Sequence, residues 1–225
     1  MKKVIITISR QFGSNGQEIG RQLAEYLDIG YYNKEIMKQI AADLRIDLKF
    51  FSEGNRNESG LYTVSGFTSW SKMTELSVNS QIFDKASAFI QEIAKRESAV
   101  IVGRCADYIL KENEDCISVF CYSDLEDRIR WSIDEYHASV KKARKIVLEQ
   151  DQKRANFYEF YTNRHWGDAK NYDLMINTSR LSTKEVVELI AAIYDQKMGI
   201  KQFKGAFQNQ YIDQKIDTTQ HLMEE

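Results

Sequence analysis

The fold of this chain follows from one segment near its start, Val4-Ile5-Ile6-Thr7-Ile8-Ser9-Arg10-Gln11-Phe12-Gly13-Ser14-Asn15-Gly16-Gln17-Glu18-Ile19-Gly20. The apolar run predicts a buried strand, the glycine-bearing stretch a loop, and the residues after it a helix. A helix that starts after such a loop can bind anions, because its unpaired backbone N–H groups point at the ligand and its dipole favours negative charge. The segment therefore predicts a phosphate-binding loop made by Gly13, Ser14, Asn15, Gly16, Gln17 and Glu18.

The predicted loop lacks the cation of a standard Walker A motif, G-x-x-x-x-G-K-[ST]. Gln17 and Glu18 stand where that motif has its lysine and its Mg²⁺-binding hydroxyl. Glycine loops between strands and helices are common, so an ordinary turn stays open beside a phosphate site. The loop indicates a class of ligand and leaves turnover undecided.

The composition is typical of a soluble globular protein, with 43% hydrophobic and 28% charged residues. A net charge of −2 disfavours nucleic acid and anionic membranes as partners, and no apolar run approaches the length of a membrane span. Cys105, Cys116 and Cys121 form no CxxC pair, which favours buried thiols in a reducing compartment, the cytoplasm. The histidines are scattered, so no metal ligands are predicted.

Short apolar runs over 3–8, 99–102, 117–121 and 173–177 predict four buried parallel strands. Helical patterns lie between them, and such alternation favours a parallel sheet with right-handed crossovers. The 225 residues suffice for one α/β domain with a sizeable core. We expect that domain over residues 1–200 and a polar tail over 201–225.

Caps and breakers predict where the helices begin and end. Gly30 predicts the stop of the first helix and Asn33 the start of a second. Longer helices are expected over 74–96 and 138–163, with a polar loop over 52–71 before them. Capping-box patterns predict two further helix starts, at Ser123-Asp124-Leu125-Glu126 and Ser182-Thr183-Lys184-Glu185.

Ligands of parallel α/β sheets bind beyond the carboxyl ends of the strands. That rule predicts that three segments lie around one crevice, residues 9–17, 103–107 and 122–124. Arg104 directly follows a predicted strand, where its guanidinium suits phosphate or carboxylate, and a salt bridge with Asp107 is the alternative. A later segment is crowded with cations that could neutralise a transferring phosphoryl group or simply form a solvated helix face: Arg128, Arg130, Lys141, Lys142, Arg144, Lys145, Lys153, Arg154 and Arg164.

Taken in order, several segments resemble the cytidylate kinase-like family, a divergent branch of the P-loop nucleoside monophosphate kinases. The resemblance spans about residues 3–195 and rests on Ile8-Ser9-Arg10-Gln11-Phe12-Gly13-Ser14, Glu18-Ile19-Gly20, Tyr31-Tyr32-Asn33-Lys34-Glu35, Val100-Ile101-Val102-Gly103-Arg104-Cys105-Ala106-Asp107, Asp151-Gln152-Lys153-Arg154-Ala155-Asn156-Phe157-Tyr158 and Trp166-Gly167-Asp168-Ala169-Lys170-Asn171-Tyr172-Asp173.

The resemblance implies a three-layer P-loop kinase fold, a parallel sheet flanked by helices. It adds a helical insert over 33–96 that resembles a nucleoside monophosphate-binding region and a lid-like helical segment over 124–170. It also implies ATP and Mg²⁺ as cofactors and transfer of the γ-phosphoryl group to a nucleoside monophosphate or another small acceptor. Mapped onto this sequence, the catalytic candidates are Arg104 and Arg154, and Arg10 is added to them from this chain's own loop. The acceptor-binding candidates are Arg104, Asp107 and Asn33.

The sequence also departs from the family pattern. The family loop often carries a basic residue where Gln17 stands and usually an aspartate where Asn33 stands. Arg10 or Arg21 could reach the β- and γ-phosphates in place of the missing cation. The departures favour a second hypothesis, a non-catalytic or regulatory nucleotide- or phosphate-binding protein that keeps the fold. The expected partner is a nucleotide or another phosphorylated small molecule, and a homo-oligomer is left open.

Overall fold

The computed structural model describes residues 2–33, 71–135 and 137–200, with residues 71–82 described as backbone only. Three predictions therefore lie outside the described residues: the helix expected after Asn33, the polar loop over 52–71 apart from Ser71, and the tail over 201–225.

Among the described residues, five parallel strands form one sheet in the order β2-β3-β1-β4-β5. They are β1 (Ile5–Arg10), β2 (Gly30–Tyr32), β3 (Ala99–Val102), β4 (Cys116–Tyr122) and β5 (Leu174–Asn177). Strand β1 lies in the middle, pairing with β3 on one side and β4 on the other. The loops after these three strands therefore meet at one edge of the sheet, as the sequence predicts.

Helices cover both faces of the sheet. They are α1 (Gly16–Leu27), α2 (Ser71–Arg96), α3 (Ala106–Ile109), α4 (Leu125–Asp134), α5 (Val140–Thr162) and α6 (Thr183–Met198). On one face, α1 and α6 bury Ile19, Leu23, Val186 and Ile190 against the strands. On the other face, α2 and α3 bury Ile90, Ile93 and Ala106. Burial of apolar side chains on both faces stabilises the three layers and confirms the predicted parallel α/β architecture.

The end of α1 differs from the prediction. The helix ends at Leu27, and Asp28 takes the left-handed conformation (φ 52°) that closes it by donating its backbone N–H to carbonyls of the last turn. Gly30 instead opens β2, where it pairs with Ala99 of β3. The prediction that Gly30 stops the helix was wrong because an aspartate, a residue that tolerates this conformation, does so two positions earlier.

One of the two predicted capping boxes forms. At the start of α6, Ser182 Oγ accepts from the Glu185 backbone N–H and the Glu185 carboxylate accepts from the Ser182 backbone N–H. At the start of α4 the prediction was wrong. The Ser123 hydroxyl hydrogen-bonds Ser179 Oγ at 2.7 Å instead, and Asp124 becomes the N-cap without a side-chain capping bond.

The cysteines are free thiols, and the most buried are Cys105 and Cys121, while Cys116 is partly buried. Burial raises the pKa of Cys116 and of Cys121 to about 12, so both are protonated at neutral pH. In the described part of the chain, every helix is too short or too polar to cross a membrane.

Candidate functional site

The glycine loop between β1 and α1 has the shape of an anion-binding turn. Gly13 (φ 79°) and Asn15 (φ 58°) are both left-handed, and α1 starts immediately afterwards at Gly16. Gly13 is required by space as well as by φ, because a Cβ there would lie 3.0 Å from the Arg128 carbonyl oxygen. The Asn15 amide donates to Thr183 Oγ1 at 2.9 Å, which ties the helix start to α6. These contacts aim the first N–H groups of α1 at the crevice.

The side chains of the loop mostly bind other protein groups. Ser14 is buried, and its hydroxyl lies 2.9 Å from the Gln11 carbonyl and 3.0 Å from the Cys121 carbonyl. Gln17 is exposed, and its backbone carbonyl accepts from the Tyr31 hydroxyl at 3.2 Å. The capacity of the loop to hold an anion therefore lies in its backbone.

Glu18 is held on the surface of α1. Its carboxylate accepts from Arg21 at 2.6 Å and from Gln22 at 2.8 Å, and these bonds lower its pKa to about 2. Arg21 also pairs with Glu25 at 3.0 Å and is half exposed. Of the two arginines that could replace the loop lysine, Arg21 is thus engaged on the outer face of its own helix.

Arg10 occupies the space between the glycine loop and β3. A Cβ on Gly16 would lie 2.6 Å from the Arg10 Cβ, and a Cβ on Gly103 would overlap Arg10 Nη1. The side chain therefore runs from the start of α1 across to the turn after β3. Both glycines make room for this arginine, which the sequence could not reveal because Gly16 and Gly103 are 87 positions apart.

The turn after β3 is held in an unusual backbone conformation. Gly103, Arg104 and Cys105 are consecutive left-handed residues with φ of 78°, 59° and 55°. Hydrogen bonds from Gly103 N to the Ile8 carbonyl and from Ala106 N to the Gly103 carbonyl fix the turn. Left-handed non-glycine residues cost about 1–2 kcal/mol each, and such strain concentrates at functional sites. Arg104 is brought to the same edge of the sheet as the glycine loop.

Asp107 lies beneath this turn and is 6% exposed. It accepts from Ser9 Oγ at 3.3 Å and from the Tyr158 hydroxyl at 2.7 Å, and it makes no ion pair with Arg104 although the structure describes both residues. Burial raises its pKa despite these hydrogen bonds. Asp107 is therefore a buried carboxyl that connects β1, α3 and α5 rather than the partner of a surface salt bridge.

The basic segment divides into buried and exposed cations. Arg128 is buried, and Arg154 Nη1 donates to the Arg10 carbonyl at 3.0 Å. Others form surface pairs with neighbouring carboxylates, at 3.7 Å for Arg130–Asp127, 3.5 Å for Arg144–Glu126 and 3.6 Å for Lys145–Glu149. Such exposed pairs contribute little to stability. Only part of the segment therefore faces the crevice.

Two contacts of the loop were missed by the sequence analysis. Asp151 accepts from the Phe12 backbone N–H at 2.7 Å, and Thr178 Oγ1 donates to the Ser14 carbonyl at 3.0 Å. Asp151 stands in a motif that carries the family resemblance, yet nothing in that motif points to Phe12.

Asn33, predicted on the acceptor side, is half-buried directly after β2.

The comparisons with known proteins fit this geometry. The model of the cytidylate kinase-like family matches residues 5–180. The chain belongs to this family. A similar curated protein is the cytidylate kinase of Methanothrix thermoacetophila, 24% identical over 190 residues that cover 84% of this chain and 96% of that protein.

Solved structures place this family member in the P-loop kinase fold. An uncharacterized protein from Eubacterium ventriosum superposes with a TM-score of 0.66 at 26% identity, covering 86% of this chain and 99% of the other. The shikimate kinase of Bacteroides thetaiotaomicron superposes with a TM-score of 0.50 at 13% identity, covering 85% and 98%. The family and the fold class predicted from the sequence are both confirmed.

Proposed function

We propose that this protein is an ATP-dependent kinase that transfers the γ-phosphoryl group to a nucleoside monophosphate or another small acceptor. The observation that carries the proposal is the position of Arg10, which spans from the glycine loop at Gly16 to the strained turn at Gly103. A cation there lies between a donor-phosphate loop and an acceptor arginine, Arg104. Phosphoryl transfer needs positive charge at this point, because charge spreads over the oxygens of the transferring group.

Each candidate residue receives a role in this proposal. The backbone of residues 13–18 holds the donor phosphates, and Arg10 supplies the charge that the absent lysine would give. Arg104 and Asn33 serve the acceptor. Arg154, which donates to the Arg10 carbonyl, adds charge from α5. Asp107 has both oxygens engaged by protein hydroxyls, so it would act by holding Ser9 and Tyr158.

The site suits Mg²⁺ that arrives with the nucleotide. The described residues contain no group of three His, Cys, Asp or Glu side chains that could hold a metal ion. Mg²⁺ commonly keeps water and phosphate ligands and needs few from the protein. When bound, it would neutralise phosphate charge. We also propose a cytoplasmic location, which the protonated, unpaired thiols support.

A second candidate is a non-catalytic or regulatory nucleotide-binding protein. The observation that favours it is the state of the helix start, where Glu18 is held by Arg21 and Gln22 and provides no hydroxyl for Mg²⁺. The same backbone loop would then bind phosphate without promoting transfer.

Steady-state ADP release separates the two candidates. The protein with Mg-ATP is tested against nucleoside monophosphates and other metabolites that carry a phosphate or hydroxyl acceptor. The kinase proposal predicts turnover with at least one acceptor. It also predicts that Arg104→Ala lowers kcat/KM for that acceptor about 100-fold while the KM for ATP stays within about twofold. Nucleotide binding without turnover on any acceptor would favour the second candidate, and no binding at all would contradict both.

A further inference from the structure

The outer edge of the glycine loop rests on the two helices of the basic segment, α4 and α5. Gly13 packs against the backbone of Arg128, and a Cβ at this position would lie 3.0 Å from the Arg128 carbonyl oxygen, closer than an ordinary van der Waals contact. The Phe12 ring meets Trp131 edge-on with ring centres 5.4 Å apart, and the Arg154 guanidinium lies 5.6 Å from the centre of the same ring. The loop is therefore enclosed by side chains from residues more than a hundred positions later.

An ion pair between the buried Arg128 and the partly buried Asp151 lies at the centre of this contact. Asp151 accepts from the Phe12 N–H with one carboxylate oxygen and pairs with Arg128 Nη1 through the other. Arg128 is 6% exposed, and its Nε also donates to the Ser123 carbonyl at 3.1 Å. Rotation of either side chain would break the pair and leave a charge without its partner, which is strongly destabilising in a buried place. Each group of the pair therefore holds the other in one orientation.

The pair fixes the peptide that enters the loop. The Phe12 N–H is turned toward Asp151, and Arg154, one helical turn later on α5, binds the Arg10 carbonyl. Residues 10–12 are thus held at both ends by the same helix, directly before the left-handed Gly13. Anion binding by this loop depends on where its backbone N–H groups point. The conformation of residues 10–12, which lead into the loop, therefore affects the affinity of the loop for an anion.

We propose that Asp151 and Arg128 are positioning residues that hold the glycine loop in the conformation that binds the nucleotide phosphates. The inference rests on the proposed function, because it assumes that the loop binds a nucleotide. It adds a role for α5 that differs from supplying charge: the helix sets the shape of the loop through a carboxylate whose two oxygens bind the Phe12 N–H and Arg128.

The test uses the full-length protein and three variants. Asp151→Asn removes one charge of the pair, and Arg128→Met with Asp151→Leu replaces both partners by apolar side chains, a change that is often neutral for stability. Glu149→Gln, an exposed acid on the same helix, is the matched control. Each protein is measured for its urea midpoint, for hydrogen exchange of the peptide covering residues 9–17, and for the Kd of Mg-ATP by calorimetry.

The proposal predicts that Asp151→Asn lowers the urea midpoint, speeds exchange of the loop amides and raises the Kd about tenfold or more. The double variant should regain most of the midpoint while loop exchange stays fast and binding stays weak. Glu149→Gln should match the native protein throughout. The double variant carries the test alone where Asp151→Asn fails to fold.

If the native protein binds Mg-ATP and the double variant binds it with the same Kd, the inference is overturned while the proposed function stands. A native protein that binds no Mg-ATP would contradict the proposed function itself, and with it this inference.

Discussion

Arg10 and Arg21 illustrate how position decides what an arginine can do. Both lie within a short distance of the glycine loop in sequence, and both could replace its missing lysine. Arg21 is occupied by Glu18 and Glu25 on the outer face of α1. Arg10 instead crosses between Gly16 and Gly103 at the end of β1. A planar guanidinium there can contact two phosphate oxygens at once, which a lysine cannot do in the same way.

Gly103 provides a test of that placement. Gly103→Ala should lower the free energy of unfolding by about 1–2 kcal/mol, because φ is +78°, and should also displace the Arg10 guanidinium and weaken Mg-ATP binding. Gly199→Ala is the matched control, since φ there is +74° and no atom of the described residues lies within 4 Å of the added Cβ. Urea unfolding and calorimetry should find similar destabilisation in both variants and weaker binding in Gly103→Ala alone. Equal Mg-ATP binding by the two variants would contradict a role of Arg10 in the binding site.

Asp107 makes the stability of the protein depend on pH. Burial raises its pKa above the ordinary 3.8, so the folded state binds the proton more tightly than the unfolded chain. This carboxyl therefore lowers the free energy of unfolding as pH rises from about 4 through the raised pKa. Asp107→Asn removes the titration and keeps an oxygen that can accept from Tyr158.

The expected result is that the free energy of unfolding of Asp107→Asn minus that of the native protein increases with pH over this window and then levels off. Urea titrations of both proteins across pH 4 to 8 would check it. Parallel curves would show that the carboxyl titrates alike in both states.

Among the elements, those with strong patterns were predictable. The runs that became β1, β3 and β4 are apolar enough to be recognised as buried strands. The run over 173–177 forms β5 as predicted, but the expectation of burial was wrong: the strand lies at the sheet edge, with Ile176 buried and Met175 exposed. Strand β2 was missed because its three residues, Gly30–Tyr32, are too short to show a period and form a strand only through pairing with β3. The capping box at Ser123 failed for a similar reason: Ser179, far along the chain, takes the hydroxyl that local rules assign to the helix.

The capping box that does form should contribute measurably to α6. Ser182→Ala removes the acceptor for the Glu185 backbone N–H and should lower the free energy of unfolding by about 1 kcal/mol. Ser139→Ala is the control, because Ser139 is the N-cap of α5 but makes no side-chain capping bond. Its effect should be a few tenths of a kcal/mol at most. Chemical denaturation measures the free energy of unfolding of both variants. Equal decreases would show that the capping box does not stabilise α6.

At the scale of the whole molecule, sheet order explains the site. Because β1 lies between β3 and β4, the loops that follow these three strands converge, and the sequence predicts that convergence from general rules. The sequence could not predict that Asp151 and Arg154 of α5 form hydrogen bonds with the residues that lead into the glycine loop. The hydrogen bond from Phe12 to Asp151 joins residues 139 positions apart, and no local pattern specifies such a contact.

A P-loop kinase fold hosts different acceptors, so its presence alone names no substrate. In this chain Arg10, at the end of the strand before the loop, extends from Gly16 to Gly103, while the helix start carries Gln17 and Glu18. The central claim is therefore that this loop binds nucleotide phosphates with Arg10 in place of the lysine.

Calorimetric titration of Mg-ATP into the native protein, Arg10→Ala and Arg21→Ala tests that claim most directly. The native protein should bind, Arg10→Ala should bind at least about tenfold more weakly, and Arg21→Ala should stay within about twofold of the native Kd. Equal binding by the native protein and Arg10→Ala, or no binding by the native protein, would contradict the claim.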